Sequence, residues 1–188
     1  MVRLLILVWS AALTLAAADP RYESAERKLD GIEAGQAKPG SVVVFTSDEI
    51  NAWARVKVPE IVPEGIREPR VELDAGSASG YALIDFLKMR QGAGASTNWL
   101  ISRLIEGERP VKVSVRLSSG GGRCTVDLTR VEISNVAVNA GVLDFLIKTF
   151  FMPLYPDAKI GEPFELGYNL DRIELVSGQV KVTVKATR

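Results

Sequence analysis

Carboxylates are the side chains in this sequence whose spacing could support acid–base chemistry. Asp48 is adjacent to Glu49, and Glu162 precedes Glu165 by three residues. A pair of carboxylates performs glycoside hydrolysis when one is the acid and the other the base or nucleophile. However, such pairs are common in a chain with 23 acidic residues, and Glu49 also fits a capping box that begins at Thr46. We therefore predict no enzyme and no catalytic residue, with a hydrolase that uses these carboxylates or a serine as the competing hypothesis.

Other chemistry-bearing side chains are scarce. The sequence contains no histidine, and Cys124 is its single cysteine. This composition excludes a Ser-His-Asp triad, a Cys-His pair and an imidazole metal site. It also lacks a Ser-x-x-Lys motif, and Gly120–Gly122 has no lysine of a phosphate-binding loop. We expect no metal and no cofactor, and we interpret Cys124 as a small buried strand residue in preference to a reactive thiol.

The overall composition is that of one folded and nearly neutral domain. The chain has 188 residues, of which 47% are hydrophobic and 24% charged, and its formal net charge is zero. A chain of this length can build a core without metals or disulfides. Nucleic-acid binding and an electrostatic hold on anionic membranes both require a basic surface, so we expect neither. The composition is compatible with peripheral contact between apolar residues and a membrane.

The first 18 residues are predicted to be a cleavable secretory signal peptide. Arg3 supplies the positive start, Leu4–Leu15 is a mostly apolar run too short for a comfortable membrane span, and Ala16–Ala18 supplies the small residues that signal peptidase requires. No cysteine directly follows the run, so we expect no lipoprotein anchor. We expect a mature chain without a transmembrane span, in the periplasm or outside the cell. An uncleaved N-terminal anchor is the alternative.

Two helices and one buried strand are predicted in the first 70 residues. Residues 21–38 are polar apart from a few apolar residues at helical spacing, which predicts a short amphipathic helix carrying Tyr22, Ala25, Leu29 and Ile32. The apolar run Val42–Phe45 predicts a buried strand. The capping box formed by Thr46 and Glu49 starts a second helix, whose apolar stripe consists of Ile50, Trp53 and Ala54. The chain after this helix is expected to be irregular because it contains Pro59, Pro63 and Pro69.

Alternating apolar and polar residues predict antiparallel strands in the rest of the chain. Strands at 71–74 and 81–87 are separated by a turn or bulge at Gly76–Gly80. A terminal hairpin is expected over Ile173–Val184, with its turn at Ser177–Gly178.

The clearest hairpin joins Val111–Leu117 to Cys124–Leu128 through the glycines at 120–122. The alternation slips between Leu128 and Val131. A β-bulge at that point would keep the apolar side chains on one face.

Residues 141–151 are predicted to form a helix that is apolar over most of its circumference, with Asp144 and Lys148 as its charges. A surface helix has an apolar stripe of only about a third of its circumference, so this helix is either solid core or the wall of an apolar groove. We identify as candidate residues of a lipid-binding groove Val142, Leu143, Leu146, Ile147, Phe150 and Phe151.

Two tryptophans complete the set of groove candidates. Trp53 belongs to the stripe of the second helix, and Trp99 lies in a helix predicted after Ser96 or Thr97. Each is interpreted as a residue of the core or of the groove rim.

A family resemblance rests on short motifs distributed along the chain. A Thr-x-x-Glu-Ile-Asn helix start spans Thr46–Asn51, the Pro-Phe-x-Leu segment is Pro163–Leu166, and the terminal hairpin has the pattern I-x-L-x-x-G-x-V-x-V. Together with the apolar helix near residue 145, they resemble small exported bacterial envelope proteins related to the tubular lipid-binding (TULIP) superfamily, of the YpmS type and the lipomannan-elongation type.

The resemblance implies a fold and a ligand. We expect an α+β domain in which a curved, mostly antiparallel β-sheet wraps on a long apolar helix as a TULIP-like half barrel, enclosing a groove for acyl chains. The predicted organisation is a signal peptide at 1–18, a polar and partly helical segment at 19–40, and a single α+β domain at 41–188.

Three hypotheses of function follow. The first is an exported lipid-binding or lipid-handling protein whose ligand is a lipid or an acyl chain. The second is an envelope adaptor domain that binds another protein through a sheet edge or helix face and has no small-molecule ligand. The third is a hydrolase that uses a serine or carboxylates such as Asp48 or Glu162.

Overall fold

The computed structural model describes residues 19–61, 65–86, 88, 107–148, 152 and 160–186. These residues form an α+β fold with mostly antiparallel curved sheets, which confirms the broad α+β class of the prediction. Its helices are α1 (Pro20–Glu33), α2 (Ser47–Ile61) and α3 (Ala140–Leu146). Its strands are β1 (Val42–Thr46), β2 (Ile66–Asp74), β3 (Ser77–Asp85), β4 (Glu108–Gly120), β5 (Arg123–Ile133), β6 (Val136–Ala137), β7 (Phe164–Glu165), β8 (Leu170–Val176) and β9 (Gln179–Val184).

The strands divide into two sheets, where the sequence predicted one. The small sheet has the order β1-β9-β8, and the predicted terminal hairpin is confirmed as β8 and β9 with its turn at Ser177–Gly178. Helix α1 packs on this sheet, so the polar segment at 19–40 contributes to a core. This core, called the small core below, consists of Ile32, Phe45, Leu170, Val182 and Val184.

The large sheet has the order β2-β3-β4-β5-β6, with β7 also paired to β5. Strands β4 and β5 confirm the predicted hairpin at 111–128. The register shifts where Ser114 pairs with Arg130 and Val115 with Leu128, so Thr129 has no partner in the ladder. This is the predicted bulge, and it keeps Leu128 and Val131 on the same face of the sheet.

Three predicted boundaries are wrong. Strand β2 begins at Ile66 and contains Pro69, although irregular chain was expected before Val71. Helix α2 continues through Pro59 to Ile61, although proline was expected to end it. Pro59 is exposed and lies in the last turn, where few further helical hydrogen bonds depend on the missing N–H. The turn before β3 occupies only Ala75 and Gly76, with Gly76 at φ +70°, so β3 begins at Ser77 and pairs with β4 without interruption as far as Asp85.

The capping box at the start of α2 is confirmed and also fixes α1. The backbone N–H of Thr46 donates to Glu49 Oε2 at 2.8 Å, and the Glu49 N–H donates to Thr46 Oγ1 at 3.2 Å. From α1, Ser24 Oγ donates to Glu49 Oε1 at 2.6 Å and Lys28 Nζ binds the same oxygen. Lys28 Nζ also donates to the carbonyl of Val44 at 2.8 Å, which joins both helices to β1.

The apolar helix predicted at 141–151 corresponds to α3. Its N-cap is Asn139, whose Oδ1 accepts the N–H of Val142 at 3.0 Å. Ile147 and Lys148 continue the helix in a wider π-helical turn, and residues 149–151 lie outside the described residues.

Candidate functional site

The inner face of the large sheet is the apolar surface that α3 covers. Successive side chains of a strand point to opposite faces, so Val111, Val113 and Val115 of β4 point to one side. The register places Val113 opposite Val131 and Val115 opposite Leu128. These residues form a continuous apolar band across β4 and β5.

A cavity of about 360 Å³ lies between this band and α3. Its volume is within the range of small-molecule sites. The described residues that line it are all apolar: Ile84, Phe86, Val111, Val113, Val115, Val126, Leu128, Val131, Leu143, Leu146, Ile147 and Ile160. These lining residues therefore offer no side-chain hydrogen bond, and a polar group placed among them would lose its bonds to water.

The cavity has a closed end and an open side. Phe86 and Val111 are buried and belong to the apolar cluster that also contains Ile133. Phe145 and Leu146 of α3 pack against that cluster. In contrast, Ile160 keeps 37% of its surface exposed, so the cavity reaches solvent on that side.

Three of the groove candidates line this cavity. They are Leu143, Leu146 and Ile147, which project from α3 toward the sheet. Val142 is not among the lining residues. Phe150, Phe151 and Trp99 lie outside the described residues.

Trp53 lies in a different part of the molecule. Its indole Nε1 donates to Glu26 Oε1 at 2.9 Å, which places Trp53 between α2 and α1. Trp53 is absent from the cavity lining. Ile50 of the same helical stripe packs against the small core, to which α1 and the small sheet contribute.

The sheet side of the cavity was not identified from the sequence. Val113, Val115, Val126, Leu128 and Val131 were recognised as one face of a hairpin, but not as residues of a site. The signal that identifies them is their alternation, once the bulge after Leu128 is taken into account. The alternation does not show which helix covers that face.

The carboxylates that could support acid–base chemistry lie away from the cavity. Asp48 and Glu162 are exposed. Glu49 is buried, and although burial alone raises its pKa, the hydrogen bonds from Lys28, Ser24 and the Thr46 N–H outweigh it and lower the pKa to about 2. Glu49 is thus a charged structural group that holds α1 on α2.

The remaining chemistry-bearing features are structural or absent from the described part of the chain. Cys124 is buried on β5, and burial raises the pKa of its thiol. Within the described residues, no group of three or more histidine, cysteine, aspartate or glutamate side chains could hold a metal ion. None of the described helices is long and apolar enough to cross a membrane.

Comparison of the chain with protein-family models, with curated proteins and with solved structures gives no significant match.

Proposed function

We propose that this protein is an exported lipid-binding protein that holds an acyl chain in the cavity between α3 and the large sheet. The observation that carries the proposal is the lining of this cavity, which is apolar at every residue that the structure describes there. An acyl chain is the common biological ligand that needs no hydrogen bond along its length. The proposal identifies the large sheet and α3 with the TULIP-like half barrel that the sequence motifs suggest.

The size of the cavity supports a single acyl chain. Each methylene removed from water contributes about 0.8 kcal/mol, so ten buried methylenes contribute roughly 8 kcal/mol before the costs of association. If the whole gain were retained, the dissociation constant would be about 1 μM, and the costs of association weaken the binding further. We therefore expect micromolar or weaker binding of a long-chain fatty acid.

Export is the second part of the proposal, and it rests on the signal-peptide pattern of residues 1–18. Asp19 is the N-cap of α1, and its side chain accepts the N–H of Arg21 at 3.0 Å. Cleavage after Ala18 would therefore leave the first helix with its capping residue. N-terminal sequencing of the protein from its native host tests this part, and a retained Met1 would contradict it.

The binding test compares two substitutions at neighbouring positions of β5. Val126→Phe places a larger side chain in the cavity, whereas Thr125→Phe places the same side chain on the outer face, because adjacent strand residues point to opposite sides. A fluorescent long-chain fatty acid is titrated into the wild-type protein and both variants. We expect at least a tenfold weaker affinity for Val126→Phe and a change within twofold for Thr125→Phe.

Two outcomes would overturn the proposal. The first is that the wild-type protein binds no fatty acid at concentrations up to the solubility limit. The second is that Val126→Phe, folded as judged by circular dichroism, binds as tightly as the wild-type protein.

A further inference from the structure

One charged residue lies on the same face of β4 as the apolar band. Arg109 precedes Val111 by two residues, so its side chain leaves the strand on the side of the cavity. The register agrees, because Arg109 is directly opposite Ile84, which lines the cavity. Arg109 thus extends the row formed by Val111, Val113 and Val115 at the end where α3 packs.

The guanidinium of Arg109 is incompletely paired. Its Nε is buried and has no hydrogen-bond partner among the described residues. Arginine is always protonated, and a buried donor of a charged group is costly when it has no acceptor. An acceptor supplied by a bound molecule would remove this cost.

Two carboxylates lie near Arg109, and each is paired with a different cation. Glu108 binds Arg67 with an Nη2–Oε1 distance of 3.1 Å, and Asp85 lies 3.6 Å from Lys88 Nζ. Glu108 precedes Arg109 in β4, and Asp85 follows Ile84 in β3. Because Arg109 and Ile84 face the cavity, the two neighbouring carboxylates point to the outer face. Arg109 is therefore a positive charge at the margin of a cavity whose described lining residues carry no charge.

We propose that the occupant of the cavity is a single-chain fatty acid in its ionised form, with its carboxylate bound by Arg109. This inference rests on the proposed function and adds the class of head group. The carboxylate would accept a hydrogen bond from the free Nε, and the acyl chain would extend along Val111, Val113 and Val115. A guanidinium suits this role because its planar donors match the two oxygens of a carboxylate.

The test uses two ligands of equal chain length and different charge. Palmitate and hexadecanol are titrated at pH 8 into the wild-type protein, and we expect palmitate to bind at least tenfold more tightly. Arg109→Met removes the charge and keeps an unbranched apolar side chain. We expect this variant to lose the preference, with affinities for the two ligands within threefold of each other.

Two control variants separate the role of Arg109 from general effects. Arg67→Met removes a positive charge from the outer face of β2, where the side chain is mostly exposed, and should keep the tenfold preference. Arg109→Lys keeps the charge and should keep part of the preference. The comparison of the two ligands on the wild-type protein needs no variant and applies even if Arg109→Met fails to fold.

The outcomes distinguish this inference from the proposed function. Equal binding of palmitate and hexadecanol to the wild-type protein would overturn the role of Arg109 and leave acyl-chain binding intact. The same conclusion follows if folded Arg109→Met keeps the full preference. If neither ligand binds, the proposed function itself fails.

Discussion

The side chain of Asn51 pairs with both backbone groups of Val71. Asn51 Nδ2 donates to the Val71 carbonyl at 2.9 Å, and the Val71 N–H donates to Asn51 Oδ1 at 2.8 Å. One amide side chain of α2 thus replaces a strand partner at the outer edge of β2. An open edge is where another strand adds, so this arrangement removes one place at which an adaptor domain would bind a partner.

Replacing Asn51 with alanine should destabilise the protein by about 1–3 kcal/mol, because it leaves two backbone groups without partners. The variant also loses the hydrogen bond from Asn51 Nδ2 to the Ser47 carbonyl. Urea unfolding followed by circular dichroism measures the change. Arg55→Ala, on an exposed position of the same helix, serves as the control and should change stability by less than about 0.5 kcal/mol. Equal stability of the two variants would show that the Asn51–Val71 pairing contributes nothing.

Glu49 should make stability dependent on pH in the acidic range. Its pKa is lowered from 4.5 to about 2 in the folded protein, so the folded state binds this proton less tightly than the unfolded chain. The resulting stabilisation is complete above about pH 5 and is lost as the pH falls from 4.5 toward 2. A pKa shift of this size contributes at most about 3 kcal/mol to the free energy of unfolding.

The variant Glu49→Gln removes the titrating group and keeps its size. We expect it to be less stable than the wild-type protein at pH 7 and to lose less further stability between pH 5 and pH 2.5. Unfolding free energies measured across this range test the expectation. Parallel pH profiles for the two proteins would contradict the assignment of Glu49.

Gly122 should not tolerate a side chain. It is buried in the turn between β4 and β5 at φ +79°, and its N–H donates to the Asp171 carbonyl at 2.7 Å, which joins the large sheet to β8. A Cβ at this position would lie 2.8 Å from Lys185 Cε. Gly122→Ala should therefore cost about 1–2 kcal/mol, mostly from the left-handed backbone because the end of the lysine can move.

Gly120 provides the matched control for this substitution. It lies in the same turn region, its φ is not positive, and a Cβ there would meet no atom within 4 Å. Gly120→Ala should change the unfolding temperature of the protein less than Gly122→Ala does. The reverse order would contradict the description of this turn.

Trp53 should have no part in ligand binding, contrary to the prediction from its sequence position. The substitution Trp53→Phe loses the hydrogen bond to Glu26 and should lower stability by about 1 kcal/mol. The affinity for a fluorescent fatty acid should stay within twofold of wild type, because the cavity is lined by other residues. A tenfold loss of affinity in a folded Trp53→Phe protein would place the ligand near α1 and α2 instead.

Local features of the fold could be predicted from the sequence. The capping box at Thr46 and Glu49, the terminal hairpin and the bulge after Leu128 each depend on residues close together in the chain. The apolar stripe of α3 was also recognised, and Leu143, Leu146 and Ile147 line the cavity.

What could not be predicted depends on pairings between distant segments. The pairing of β1 with β9 separates the strands into two sheets, and no local pattern encodes which strand finds which partner. The same reason accounts for Trp53, since its stripe shows that one face is buried but not which element covers it. Arg109 was not singled out because its importance arises from its register with Ile84.

The most direct test of acyl-chain binding is a methyl NMR spectrum of the protein titrated with palmitate. The cavity contributes methyl groups from Val113, Leu128 and Leu146, whereas the small core contributes those of Leu170 and Val182, which serve as an internal control. We predict saturable shifts of the cavity methyl resonances, with those of the small core unchanged. Cavity resonances that stay unchanged at saturating palmitate, or shifts confined to the small core, would contradict the proposed function.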